Sequence, residues 1–138
     1  MMATCHCAAL RRAARTITNR YDAALSPVGL TVAQFALLNG FQRLGTVSIS
    51  EAARAMQLDR TTLGRNLTLL QQGGLIETGP GAKDAREREV RLTDAGKAAI
   101  ARAVPLWQEA QVKLEARVGK EKLETLHALL REIESVPA

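Results

Sequence analysis

At 138 residues the chain has the length of one domain, enough to bury roughly two-thirds of its unfolded surface. Hydrophobic residues make up 46% but aromatic ones only 3%, so the core must come from Leu, Ile, Val and Ala, which favours packed helices over a β-sandwich. The net charge of +5 suggests an anionic partner, while the lack of a run of about 18 apolar residues, or of a cleavable leader in "MMATCHCAALRRAAR", leads to the expectation of a cytoplasmic protein away from membranes.

The first apolar stripe, Leu10, Ala14, Ile17, Tyr21 and Leu25, recurs at three- and four-residue spacing. It predicts an amphipathic helix over about residues 8–25, with Arg11, Arg12, Arg15 and Arg20 on the other face. "SPVG" ends it. Thr31 and Gln34 form a capping box for a helix that carries Val32, Phe35 and Leu38 inward and closes at Gly45. Ser48 and Glu51 repeat the device for a short helix to about Met56. Asp59 then caps a helix through Leu63, Leu67 and Leu70 that stops at Gly73-Gly74. The two short helices are joined only by Gln57 to Asp59, the spacing of a helix-turn-helix.

"LIETG" and "REVRL" flank the loop "GPGAKDARE" and read as a hairpin of two short strands. Thr93 caps a long helix in which Pro105 should produce a kink or a break. After Gly119, Leu123, Leu126, Leu130 and Ile133 mark a last amphipathic helix. The expected fold is mainly α: a winged helix-turn-helix with a two- to three-stranded wing sheet, inside a helical frame.

On the helix after Asp59, Thr61, Arg65 and Thr68 point most directly away from the leucine stripe, with Arg60, Thr62 and Asn66 flanking them. These side chains suit base edges and phosphates: Arg reads guanine, Asn adenine, and Thr a phosphate or a thymine methyl. The loop adds Lys83, Arg86, Arg88 and Arg91. A hairpin of this kind lowers an Arg into the minor groove, where the negative potential is deepest. Asp84, two residues before Arg86, is placed to orient its guanidinium. Glu87 and Glu89 fall at alternate positions, directed at the helices. The competing readings are a solvated amphipathic helix and a winged helix that binds proteins and not DNA.

"DAREREVRLTDAG" resembles the wing signature of the multiple-antibiotic-resistance regulator (MarR) family, Asp-x-Arg followed by a strand and Leu-Thr-x-x-Gly, here Asp84, Arg86, Leu92, Thr93 and Gly96. "VSISEAARAMQLDRTTLGRNLTLLQQGGLIE" and "GLTVAQFALL" resemble the same family's helix-turn-helix and the helix before it. The resemblance implies a single domain over residues 1–138, with dimerisation helices at about 1–30 and 94–138 and a DNA-binding region at about 31–93. It further implies a homodimer on a pseudo-palindromic duplex, most often a repressor, released by a small molecule or an oxidant. Arg86 would enter the minor groove, Asp84 would orient it, and Thr62, Arg65 and Asn66 would lie at bases or backbone. The family's usual ligand site, where the dimer helices meet the winged region, here offers Trp107 and the Arg-rich first helix.

"TCHCAALRRAAR" is similar to a branch of the family that senses organic hydroperoxides through a cysteine at the start of the first helix. Cys7 falls at that cysteine and Tyr21 at one of its partner tyrosines, while Arg11 stands where a second tyrosine is expected. An adjacent guanidinium favours a thiolate, and Cys5 is placed to resolve a sulfenate across a dimer. Two further readings remain: Cys7 as a packed, inert residue, and Cys5, His6 and Cys7 with His127 as soft-metal ligands. No paired carboxylates, Ser/His/Asp spacing, phosphate loop or four-ligand zinc motif occurs in the sequence, so neither an enzymatic role nor a cofactor is expected.

Overall fold

The computed structural model describes residues 3–138. Helix α1 (His6–Leu25) leads through a 3-10 turn (Ser26–Val28) into α2 (Val32–Leu44). Next come β1 (Val47–Ser48), α3 (Ile49–Met56), α4 (Arg60–Gln72), β2 (Ile76–Pro80), β3 (Arg88–Leu92), α5 (Asp94–Val118) and α6 (Lys120–Glu134).

The caps fall where the short polar residues stand. Thr31 accepts from the amide of Gln34 while the Gln34 side chain accepts from the amide of Thr31, a complete box. Ser48 makes only the forward half, accepting from the Glu51 amide at 3.0 Å. Ser48 also pairs with β3, so the hairpin of β2 and β3 gains a third strand, the upper end of the two to three expected. The sheet has three antiparallel strands in the order β1-β3-β2, with Val47 and Thr78 both opposite Val90. Two residues are too few to show alternation, which is why the sequence signal for β1 was lost inside the cap of α3.

The turn between α3 and α4 puts Gln57 in the left-handed region at φ 54°, the only non-glycine residue with positive φ among the described residues. At Pro105, where a kink or a break was expected, α5 runs on without a break. Ala101, whose carbonyl loses its partner at Pro105, lies on the exposed side with the proline, where solvent contact makes the missing bond tolerable.

Leu63, Leu67 and Leu70 of α4 are buried with Phe35, Leu38 and Phe41 of α2, Ile76 and Val90 of the sheet, and Ile100 of α5, in a single core. Trp107 packs its ring against Phe35 at 6.2 Å between centroids. Outside this core the frame is bare. Between Ala3 and Arg20 only Ala9 is even half-buried, and α6 buries nothing. Leu10, Ile17, Val112, Leu126, Leu129 and Ile133 are all exposed on these helices. No single helix among the described residues is long and apolar enough to cross a membrane.

Candidate DNA-binding surface

Burying Leu63, Leu67 and Leu70 decides which way α4 presents its other side. Arg60, Thr61, Thr62, Arg65 and Thr68 are exposed, and Asn66 is half-buried at the edge of that face. Two of the hydroxyls are occupied as donors: Thr62 Oγ1 donates to Asp59 Oδ2 at 2.8 Å, and Thr68 Oγ1 to the Gly64 carbonyl at 3.0 Å. Asn66 Nδ2 donates to the Thr62 carbonyl at 3.3 Å. Arg60, Thr61 and Arg65 make no such contact among the described residues, and their donors are available to a partner. Asp59 also accepts from the Thr62 amide at 2.8 Å. That bond, followed by the one from the Thr62 hydroxyl, holds the Asp59 carboxyl below the usual carboxylate range.

The wing closes on two short backbone contacts. Gly81 donates to the Glu87 carbonyl at 2.7 Å and Glu87 to the Asp84 carbonyl at 3.0 Å. A Cβ on Gly81 would sit 2.6 Å from the Asp84 carbonyl oxygen, so the turn needs glycine there. Asp84 Oδ1 accepts from both the amide and Nε of Arg86. Lys83 and Arg86 are exposed at the tip.

The period of two along β3 sorts the remaining charges. Arg88 shares a face with buried Val90 and with Leu92, whereas Glu89 and Arg91 point from the opposite face. Arg91 stands away from the wing tip, near the end of β3, where its Nε is paired with Glu77 Oε2 at 3.0 Å across the sheet. Glu89 does not face the helices; its carboxylate accepts from the Ala82 amide at 3.0 Å and so braces the wing loop, and Glu87 is exposed. Arg88 Nη2 donates to Thr78 Oγ1 at 2.8 Å, and Thr78 Oγ1 lies 3.3 Å from Gln71 Oε1. Thr78 and Gln71 were missed in the sequence, where a threonine in a strand and a glutamine at a helix end look unremarkable.

The Leu-Thr-x-x-Gly element turns out to be a fastening. Thr93 Oγ1 donates to the Gly74 carbonyl at 2.6 Å and accepts from the Gly96 amide at 3.0 Å, while the Thr93 amide donates to the Leu75 carbonyl at 3.2 Å. A Cβ on Gly96 would lie 2.1 Å from the Leu75 oxygen, so α5 can approach α4's exit loop this closely only with glycine.

At the other end of the molecule, Cys5 caps α1, its Sγ accepting from the Ala8 amide at 3.5 Å. Cys5 and Cys7 are free and exposed, so Cys7 is not a packed core residue within the chain. Arg11 is exposed one turn along the helix. Tyr21 lies four turns from Cys7, roughly 20 Å along α1, and the two do not meet within one chain. Tyr21 is instead buried and donates to Gln111 Oε1 on α5. Burial raises its pKa above that of an ordinary phenol, and the nearby Glu115 carboxylate adds to the rise. His127 is on α6, and among the described residues no three His, Cys, Asp or Glu side chains converge as metal ligands. Asp22, which the sequence did not single out, accepts from the Val32 amide at 2.7 Å and ties α1 to the start of α2.

Between α1 and α5 lies a cleft of about 620 Å³. Ile17, Ala24, Leu106 and Leu114 give it apolar walls, and Arg20, Tyr21, Glu109, Lys113 and Arg117 line its polar parts, with Lys113 Nζ paired to Glu109 Oε1 at 3.1 Å. Trp107, expected in this region, is half-buried against the core instead and does not line the cleft.

A helix-turn-helix with an exposed Arg/Thr face, followed by a basic hairpin and enclosed by long helices, defines the winged helix-turn-helix class. The chain belongs to the MarR family of transcription regulators, whose match spans residues 28–87. It is 39% identical to the transcriptional regulator MosR of M. tuberculosis, solved in complex with DNA, over 95% of this chain and 96% of that one, with a TM-score of 0.82. The transcriptional repressor CouR, solved on a 23-mer DNA duplex, is 28% identical over 91% of this chain and 89% of its own, with a TM-score of 0.83. The regulator PecS of Dickeya dadantii is 29% identical over 128 residues, 91% of this chain and 77% of PecS.

Proposed function

We propose that the protein is a cytoplasmic, homodimeric repressor that binds a pseudo-palindromic duplex, with α4 in the major groove and the wing in the minor groove. The observation that carries this reading is the shared exposure of Arg60, Thr61 and Arg65 on α4 and of Lys83 and Arg86 on the wing. The likeness to MosR and CouR, both solved on DNA, supports it. Arg65 and Asn66 read bases, the hydroxyls of Thr62 and Thr68, whose protons are held within the helix, are left to accept from base amino groups, and Arg86, oriented by Asp84, enters the minor groove. Homodimerisation is supported by the apolar residues left bare on α1, α6 and the end of α5, which none of the described residues covers.

Release follows from an effector at the frame. The α1–α5 cleft supports a small amphipathic anion, since apolar walls stand there beside Arg20 and Arg117, while Glu109 offsets only Lys113. Exposed Cys7 at the start of α1 supports an oxidant instead. A gel shift of the reduced protein on duplex DNA from around its own gene, at two salt concentrations and again after mild peroxide, tests all of this. Tight binding that weakens with salt is expected. No binding at either salt would favour a protein-interaction module. Release by peroxide in the wild type but not in Cys7→Ser would assign the effector to the thiol, and binding unmoved by peroxide would assign it to the cleft.

A further inference from the structure

Three arginines stand on the two strands and loop of the wing, and their partners differ in kind. Arg86 is paired with Asp84 and Arg91 with Glu77. Each of those guanidinium charges is offset by a carboxylate. Arg88 is held by a neutral group, the Thr78 hydroxyl, and has no carboxylate within ion-pair distance among the described residues. It is also the arginine that shares a sheet face with Val90 and Leu92, the side on which the helices pack.

The bond to Thr78 is one end of a directed chain. A threonine hydroxyl has one proton and two lone pairs. Accepting from Arg88 Nη2 leaves that proton for Gln71 Oε1, which belongs to the last turn of α4. The chain therefore spans helix, strand and strand, from Gln71 through Thr78 to Arg88. Register makes this possible: Arg88 lies opposite Pro80, and Thr78 is two residues from Pro80 on the same face of β2, a diagonal neighbour. Only one of the five guanidinium N–H groups is used, and the exposed remainder keeps a full positive charge.

We infer that Gln71 and Thr78 are positioning residues that fix Arg88 as a phosphate clamp in the angle between the recognition helix and the wing. This rests on the DNA-binding reading above. It assigns Arg88 to the backbone and not to a base or the minor-groove floor. An arginine held in advance loses less rotamer freedom on contact, and its uncompensated charge releases counterions when it meets a phosphate.

The test is affinity for a mixed-sequence duplex about three helical turns long, measured across a salt series for the wild type, Arg88→Ala, Thr78→Val, Thr78→Ser and the Arg88→Ala/Thr78→Val pair. Valine is favoured in strands, so the wing should stay folded, which thermal unfolding checks. Arg88→Ala should flatten the plot of log affinity against log salt by about one unit. Thr78→Val should weaken binding about threefold to tenfold, the worth of one hydrogen bond. Thr78→Ser should restore wild-type affinity. Adding Thr78→Val to Arg88→Ala should change nothing further, because the relay then has nothing left to position. Wild-type affinity in Thr78→Val would overturn the relay, as would an equal loss from it in the Arg88→Ala background. A salt slope unmoved by Arg88→Ala would remove the clamp. Wild-type protein that shows no salt-dependent binding to any duplex would overturn both this inference and the DNA-binding reading, which the other failures leave intact.

Discussion

One oxygen of Asp84 accepts from two donors of Arg86, its backbone amide at 3.0 Å and its Nε at 3.3 Å. The carboxylate thus sets the backbone turn and the direction of the side chain together. The pair is well exposed, so little fold stability rests on it. Its effect should fall on DNA binding. Arg86→Ala is expected to weaken binding by about 1–3 kcal/mol with the oligomeric state unchanged in sedimentation. Asp84→Ala should weaken it less, since the guanidinium survives without its orientation. Equal affinity of Arg86→Ala and the wild type would remove Arg86 from the interface.

Arg65 stands exposed on α4 in the middle of the face opposite Leu63, Leu67 and Leu70. A bidentate contact from such an arginine to guanine should be worth about 1–3 kcal/mol of discrimination against the wrong base. Arg65→Ala is therefore expected to lose affinity for the preferred sequence more than for mixed sequence, as read by selection from a randomised duplex pool. A uniform loss across the pool would make Arg65 a phosphate contact.

The helices and the order of elements were legible because each signal was local: three- and four-residue apolar spacing, a short polar residue at each N-cap, a glycine or proline at most ends. Thr31, Asp59 and Thr93 cap the helices expected of them. What was illegible depended on residues far apart in the chain. β1 exists only because Val47 finds Val90 across the sheet. Arg91 finds its partner Glu77 fourteen residues earlier, on the neighbouring strand. Tyr21 could be placed on the first helix, but its hydrogen bond to Gln111 spans ninety residues. Pro105 shows the reverse case: a local signal for a kink or a break leaves the helix unbroken, with Ala99, Ile100 and Ala103 packed on one side of it and Trp107 on the other.

Gly96 illustrates a signature residue whose reason is steric. Its amide meets Thr93 Oγ1, and its missing Cβ leaves room for the Leu75 carbonyl. A Leu92 methyl at 3.2 Å could give way, but the Leu75 carbonyl is backbone, held by the Thr93 amide and next to the Gly74 carbonyl that Thr93 Oγ1 binds. Gly96→Ala should then cost about 3 kcal/mol through overpacking, seen as a lower denaturant midpoint with an unchanged slope. Thr93→Ala should cost about 1–2 kcal/mol from the lost cap and the lost bond to Gly74. A Gly96→Ala variant as stable as the wild type would mean that α5 is free to shift away from the exit loop of α4.

Tyr21 offers a direct reading of how α1 is seated on α5. It is the only tyrosine in the chain, so tyrosinate absorbance reports this one phenol. Burial first, and the Glu115 carboxylate second, raise its pKa above the ordinary value. The folded protein therefore holds the phenol proton at a pH where the unfolded chain has already lost it. The stability this contributes is complete below the ordinary phenol pKa and is lost as pH rises through the raised folded value. Wild-type stability should fall relative to Tyr21→Phe over that alkaline window and run parallel to it at neutral pH. Glu115→Gln should move the titration only part of the way back, because desolvation is the larger cause. A Gln111→Leu change removes the acceptor and leaves the phenol proton buried without a partner, so it should destabilise the fold by about 1–3 kcal/mol. An ordinary phenol titration in the native protein would mean that α1 does not rest on α5 in solution, and the cleft between them would lose the wall on which a ligand depends.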